Sequence, residues 1–210
     1  MNALIGICAV AVVAWFALGS IRNVSRGRAL MRWMQGGLPL FGERAAVRWL
    51  GSTAVELVIR EAKAPFAAVT LVLFFEARDS PWMWALGRLR GRRDTLIVRG
   101  DLRDAPTIDF EALDTASWSG REACRRIPAN WLQHPAGAHD AMIVRLADAA
   151  ALSRASALVS MAQRGARKVF RLSVRKVAPN FQLHVALPDV GQSAREFFGA
   201  LEAVAECAAG

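Results

Sequence analysis

The chain is poor in several residue types, and each shortage excludes a kind of site. It has no tyrosine, only three lysines among its 27 basic residues, and only three cysteines, Cys8, Cys124 and Cys207. Scattered cysteines provide neither a disulfide framework nor a Cys-x-x-Cys metal site, so we expect no bound metal and favour a reducing compartment. Because the sequence also lacks a Walker-type loop and a Gly-x-Gly-x-x-Gly motif, we expect no cofactor.

The composition is that of a folded, basic protein. Of the 210 residues, 54% are hydrophobic and 21% are charged, and the formal net charge is +9. These values exclude a disordered polyelectrolyte, a collagen-like repeat and a multi-span transporter. The length suits one compact domain, or two small ones, with an appendage.

Residues 1–21 are the most distinctive segment. No charged side chain precedes Arg22, and the apolar run from Leu4 to Ile21 is almost unbroken. About twenty helical residues, at 1.5 Å each, cross a hydrocarbon core of ~30 Å. We therefore predict a transmembrane anchor over residues 1–21. The next apolar run, residues 66–75, is too short for a helical span and predicts a buried strand.

Positive charges follow the anchor and predict its orientation. The first four are Arg22, Arg26, Arg28 and Arg32. The positive-inside rule then gives a single-pass protein of a bacterial-type inner membrane, with its N-terminus outside and its C-terminal domain cytoplasmic. Two alternatives remain open. One is a signal peptide cleaved after residues 17–19, although no basic segment precedes the apolar run, and the other is the buried helix of a soluble protein.

Residues 22–37 are predicted to form a juxtamembrane amphipathic helix that ends at the two glycines 36 and 37. Its polar side carries the four arginines, which either bind anionic lipid headgroups, at ~1 kcal/mol each, or only set the topology. Its apolar stripe consists of Ile21, Val24, Leu30, Met31 and Met34.

The rest of the chain predicts an α+β fold with two similar halves. We expect a first half over residues 38–115, a connecting loop region over 116–140 and a second half over 141–210. Each half contains helix–hairpin–helix, and the second resembles a ferredoxin-like unit without its last strand. We expect the strands of both halves to share one sheet.

Local patterns place the individual elements. In the first half we predict strands over residues 46–60 and 66–78, a helix over 81–90 and a strand over 95–103. In the second we predict a strand over 141–147, a helix capped by Asp148 and closed by Gly165, a hairpin that turns at Pro179 and Asn180, and a helix that starts at Ser193.

A basic cluster follows an aromatic segment in the first half. The arginines are Arg88, Arg90, Arg92 and Arg93, and the tryptophans before them are Trp82 and Trp84. This pairing is typical of an interfacial helix whose aromatics enter the headgroup region while its arginines bind phosphates. The alternative is a core helix with a solvated C-terminus. We do not expect this cluster to bind nucleic acid, because no RNA- or DNA-binding motif is present.

A second cationic surface is expected on the polar face of the terminal hairpin. Arg171, Arg175 and His184 alternate with apolar residues, so they share one side of the strands. They form a possible anion shelf for a phosphate or a carboxylate-bearing partner. The alternative is an ordinary solvated strand face.

These features predict a membrane-anchored, non-catalytic scaffold or accessory protein. Its basic cytoplasmic domain would bind anionic lipid headgroups, a membrane protein partner, or both. Two other functions stay open: a membrane-tethered nucleic-acid-binding protein, and an enzyme whose site, built from residues such as Cys124 and Arg171, has no recognisable signature. No catalytic residue is predicted, and the sequence predicts no oligomeric state.

Overall fold

The computed structural model describes residues 2–136 and 142–210. It is a mixed α+β structure with one long N-terminal apolar helix and a nine-stranded antiparallel sheet. The helices are α1 (Asn2–Met34), α2 (Pro81–Leu89), α3 (Trp118–Cys124), α4 (Leu152–Gly165) and α5 (Ala194–Ala209). The strands are β1 (Ala46–Trp49), β2 (Ala54–Ile59), β3 (Phe66–Phe74), β4 (Thr95–Leu102), β5 (Phe110–Asp114), β6 (Leu132–Pro135), β7 (Met142–Leu146), β8 (Val169–Val174) and β9 (Phe181–Ala186).

The strands of both halves form one sheet, which confirms the shared-sheet prediction. Their order is β1-β2-β3-β4-β9-β8-β5-β7-β6, and all neighbouring strands are antiparallel. The halves join where β4 pairs with β9, in a register that sets Thr95 opposite Ala186 and Ile97 opposite His184. The sheet is therefore continuous across the middle of the molecule.

The ferredoxin-like halves are not confirmed. Strands β7 and β8 are parallel to each other and connected through α4, with β5 between them as their common antiparallel neighbour. This is a split β-α-β unit whose gap is filled by an earlier strand rather than by β9. All five residues of β5 are buried, because Phe110 and Ala112 face the main core and Leu113 faces a smaller core under α3.

Two strands differ from the prediction. The strand expected over residues 46–60 is a hairpin of β1 and β2, because Gly51 in the turn between them has a φ of +77°, a conformation that favours glycine. Strand β6 lies at the sheet edge within the segment expected to connect the halves. Its residues are mostly exposed, so they carry no apolar alternation by which a sequence would reveal it. The same segment also contains α3.

Helices cover one face of the sheet. Helices α4 and α5 pack on that face together with the C-terminal part of α1, which contributes Leu30 and Met34 to the core. Phe41, in the connection after α1, makes edge-to-face contacts with Phe66 of β3 and Phe198 of α5, each with ring centroids 5.3 Å apart. As predicted, α5 begins after Ser193, whose hydroxyl accepts a hydrogen bond from the Glu196 backbone N–H.

Helix α1 is continuous across the boundary expected at residue 21. Residues 3–18 are exposed, and the buried face of the remainder differs from the predicted stripe, since Ile21 is 64% exposed. The buried positions recur every three or four residues and are mostly small or polar at the start: Gly19, Asn23, Gly27, Leu30 and Met34. Close approach to the domain explains the difference, because a Cβ at Gly19 would overlap the carbonyl of Arg78.

Helix α1 is also long and apolar enough to cross a membrane. The segment that could span a membrane covers Ala3–Met34, and only 6% of its most apolar 18 residues is buried within the protein. Length and composition of this kind are shared by membrane anchors and signal sequences.

Candidate functional site

A polar junction attaches α1 to the loop that follows β3. The Asn23 side-chain amide donates to the Glu76 carbonyl over 3.0 Å, and its oxygen accepts from the Arg78 guanidinium over 3.1 Å. About two turns before Asn23, the Trp15 indole N–H donates to the Arg78 carbonyl over 2.9 Å. Because a buried asparagine must satisfy both ends of its amide, this junction fixes the rotation of α1 against the domain.

Asp94 is the ionic centre of the junction. Arg78 donates to both of its carboxylate oxygens over 2.8 and 2.9 Å, Arg26 approaches to 2.5 Å, and the Glu76 backbone N–H donates over 2.7 Å. Burial acts to raise the pKa of Asp94, but these hydrogen bonds and the two arginine charges hold that pKa below its ordinary value. Arg26, which the sequence predicted to contact lipid, therefore forms an intramolecular ion pair with Asp94.

Helix α2 presents two different faces. Trp82, Leu86 and Leu89, spaced at i, i+4 and i+7, form an outward apolar stripe that is strongly exposed, with Leu89 at 86%. Trp84 and Gly87 lie on the inward face and line a cavity. No residue of α2, all of which is described, is buried. The structure thus does not support the alternative in which α2 is a core helix.

The start of α2 is close to the place where α1 leaves the domain. Gly19 contacts the backbone of Arg78 and Asp79, and α2 begins only two residues later, at Pro81. Residues of α1 before Gly19 project away from the protein, except for the Trp15 hydrogen bond. The apolar stripe of α2 therefore begins near the point at which the apolar part of α1 leaves the domain.

The structure separates the predicted arginines into groups. Arg22 lies about one turn after Gly19 on α1, whereas Arg32 is about 15 Å farther along the helix than Arg22. Arg88 forms an ion pair with Glu76 at 3.3 Å, and Glu76 also accepts from the Trp84 indole at 2.7 Å. The remaining predicted arginines are exposed side chains without a carboxylate partner among the described residues: Arg22, Arg28, Arg32, Arg90, Arg92 and Arg93.

Two of the exposed arginines have other contacts. The Arg92 guanidinium stacks over the Trp118 ring, 4.3 Å from its centroid, and Arg93 donates to the backbone carbonyls of Arg88 and Arg92. Trp118 begins α3, so the stacking connects the end of α2 to the second half of the chain. The sequence carries no local signal for this contact, because Trp118 follows Arg92 by 26 residues.

A cavity of about 390 Å³ lies between α2, the start of α3 and the sheet face opposite the helical layer. Its volume lies within the range of small-molecule sites. Most of its wall is aromatic or aliphatic, and arginines stand on one side. The residues that matter most here are Phe74, Phe75, Met83, Trp84, Gly87, Arg88, Arg92, Trp118, Phe170 and His184.

His184 is one of the buried polar residues that line the cavity, with Glu76 and Ser117. It is only 6% exposed, and neither ring nitrogen has a hydrogen-bond partner among residues 2–136 and 142–210. Burial, with the nearby charges of Arg171 and Arg99, lowers the pKa of His184 to about 3. The imidazole is therefore neutral at pH 7, with one donor and one acceptor.

The anion shelf predicted from Arg171, Arg175 and His184 needs correction. The three residues do share one face of the hairpin, but Glu111 of β5 already binds both guanidinium groups. Its carboxylate accepts two hydrogen bonds from Arg171, each over 2.8 Å, and one from Arg175 over 2.9 Å. Ser173 donates to the same carboxylate over 2.9 Å. Because Glu111 is only 1% exposed, the arginines neutralise an internal charge, and His184 is buried instead of solvated.

The pKa of Glu111 reflects this arrangement. Burial acts to raise it, but the hydrogen bonds and charges of Arg171 and Arg175 hold it below its ordinary value. Arg175 also stacks on Trp131, at 4.2 Å. Cys124, offered as a possible catalytic residue, lies instead beside the small apolar core of α3.

The described residues contain no group of three or more His, Cys, Asp or Glu side chains that could hold a metal ion. The chain matches no protein-family model and no curated protein.

Proposed function

We propose that this protein is a membrane-anchored, non-catalytic accessory protein whose α+β domain binds anionic lipid headgroups through α2. One observation carries the proposal: the exposed apolar stripe of α2 begins two residues after the loop that holds α1 where that helix leaves the domain. If residues 3–18 lie in a bilayer, Trp82 and Leu86 lie close to its surface.

The composition of α2 and its surroundings supports this contact. A short helix with Trp and Leu on its outer side and arginines at its end has the character of an interfacial helix. Arg90 is exposed there, outside the cavity lining, and an arginine near an anionic surface contributes ~1 kcal/mol. Arg22, the first charge after the apolar run, favours a cytoplasmic domain and an external N-terminus.

The test is hydrogen exchange of the full chain in lipid nanodiscs. We expect the amides of α2 to exchange more slowly in nanodiscs that contain phosphatidylglycerol than in phosphatidylcholine alone. The double variant Leu86→Gln/Leu89→Gln should remove most of this difference. It should not unfold the domain, because both side chains are exposed.

Val177→Gln is the matched control, since Val177 is an apolar residue in the hairpin connection between β8 and β9 whose exposure lies between those of Leu86 and Leu89. It should leave the exchange of α2 unchanged in both lipids. Equal exchange of α2 in anionic and neutral nanodiscs would overturn the proposal.

A further inference from the structure

We infer that the cavity beneath α2 is a binding site for a small aromatic or alicyclic anion, a molecule with a flat apolar ring system, one anionic group and one group that hydrogen-bonds to His184. The inference concerns the inward face of α2, whereas the proposed lipid contact uses its outward face. Either can therefore fail without the other.

The walls favour a flat apolar molecule. Trp84 comes from α2 and Trp118 from α3, whereas Phe74 and Phe170 come from the sheet. Aromatic side chains offer large, rigid contact surfaces and prefer offset or edge contacts with another ring. A cavity of about 390 Å³ accommodates a ring compound more readily than a phospholipid with two long acyl chains.

The unpartnered His184 indicates a polar group on that molecule. A buried donor or acceptor without a partner costs roughly 1–3 kcal/mol, and most buried polar groups in proteins are paired. His184 leaves both ring nitrogens without a partner within the described part of the chain, and it lines the cavity. A ligand with a hydroxyl, carbonyl or amine at this point would satisfy one of them.

The arginines indicate the charge of the ligand. Arg92 lines the cavity and has no carboxylate within ion-pair distance in residues 2–136 and 142–210. Arg88 must share Glu76 with Arg78, whose guanidinium is 3.5 Å from the same oxygen. Of the three lining arginines, Arg88 shares its carboxylate and Arg92 has none, so an anionic group would complete their pairing.

The experiment uses two dyes that differ in one group. 8-Anilinonaphthalene-1-sulfonate is an aromatic anion with a secondary amine, and N-phenyl-1-naphthylamine is the same molecule without the sulfonate. Native mass spectrometry of the full chain, released from non-ionic detergent micelles, counts the bound dye. We expect one anion per chain and at least tenfold weaker binding of the neutral dye.

Three variants locate the binding. Gly87→Leu should weaken the binding of both dyes at least tenfold, because it projects a side chain into the cavity from α2. The fold should persist, because a Cβ at this position meets only the Arg92 side chain, at 3.5 Å. Arg92→Gln should weaken the anion about tenfold and leave the neutral dye unchanged. Arg125→Gln, at an exposed arginine at the end of α3, is the control and should change neither.

Two results would overturn the inference. One is dye binding that Gly87→Leu leaves unchanged in a protein whose unfolding temperature is also unchanged. The other is an equal loss of anion binding in Arg92→Gln and Arg125→Gln, since that would show attraction to overall positive charge instead of to the cavity.

Discussion

At the scale of single residues, the burial of His184 makes the free energy of unfolding depend on pH. Its pKa falls from 6.5 in the unfolded chain to about 3 in the fold, so only the unfolded state gains a proton as pH falls from 6.5 towards 3. The free energy of unfolding should then decrease by about 2 kcal/mol between pH 6.5 and 4.5. Asp94 and Glu111, whose pKa values are lowered, add to this decrease mainly below this window, whereas Glu202, whose pKa is raised by burial and by Glu206, opposes it.

Denaturant titrations at the two pH values measure this effect. His184→Phe should lose the decrease and should be at least as stable as the wild type at pH 7, because it removes an unpaired buried polar group. An unchanged pH dependence in this variant would show that His184 is not the responsible group.

Glu111 provides a second residue-scale prediction. Glu111→Gln removes the buried charge that Arg171 and Arg175 share, so it should reduce the free energy of unfolding by about 3 kcal/mol. Glu56→Gln, which breaks the exposed pair with Arg48, should cost under ~1 kcal/mol. Chemical denaturation compares the two variants, and equal losses would contradict the distinction between buried and exposed pairs.

The same residues show what the sequence could reveal. Alternation along a strand correctly placed Arg171 and His184 on one side of the hairpin, because that period is local. It could not reveal that Glu111 lies opposite them, since 60 residues separate Glu111 from Arg171 and their contact depends on the pairing of β5 with β8.

At the scale of elements, the packing of α1 on the domain depends on Gly19. Gly19→Ala should destabilise the protein by about 1–3 kcal/mol, because its Cβ would overlap the Arg78 carbonyl. Gly6→Ala is the matched control: nothing lies within 4 Å of that position, so its effect should stay within ~0.5 kcal/mol of zero or be stabilising.

Thermal unfolding of both variants measures the difference. Alanine favours a helix over glycine by about 1 kcal/mol at either position, so helix propensity predicts stabilisation for both. A loss confined to Gly19→Ala would therefore report the contact with the loop after β3. Equal behaviour of the two variants would contradict the docking of α1.

Local features explain which elements were predictable. Helix α5 has a serine cap, and β4 and β9 alternate clearly, so each was predicted close to its observed bounds. The buried face of α1 was mispredicted because it begins with Gly19 and Asn23, which no hydrophobic pattern selects. Gly19 lies on that face because the backbone of α1 approaches the backbone of Arg78 closely, and Asn23 lies there because its side-chain amide bonds to the Arg78 guanidinium.

At the scale of the whole molecule, the α+β class and the single shared sheet followed from the sequence, whereas the order of its strands did not. Order depends on which distant segments pair, and β5 between β7 and β8 has no local signature. The same limit applies to the site. The sequence identified Trp84 and Arg88 as neighbours along α2, but only the fold brings them to Trp118 and His184 around one cavity.

The proposed function requires α1 to hold the domain against the cytoplasmic side of a membrane. Fusion of the C-terminus to green fluorescent protein or to alkaline phosphatase, in bacterial cells that are then fractionated, tests it most directly. We expect fluorescence in the membrane fraction and no phosphatase activity. Phosphatase activity would show that the domain lies on the opposite side of the membrane. Fluorescence confined to the soluble fraction would show that α1 is not an anchor.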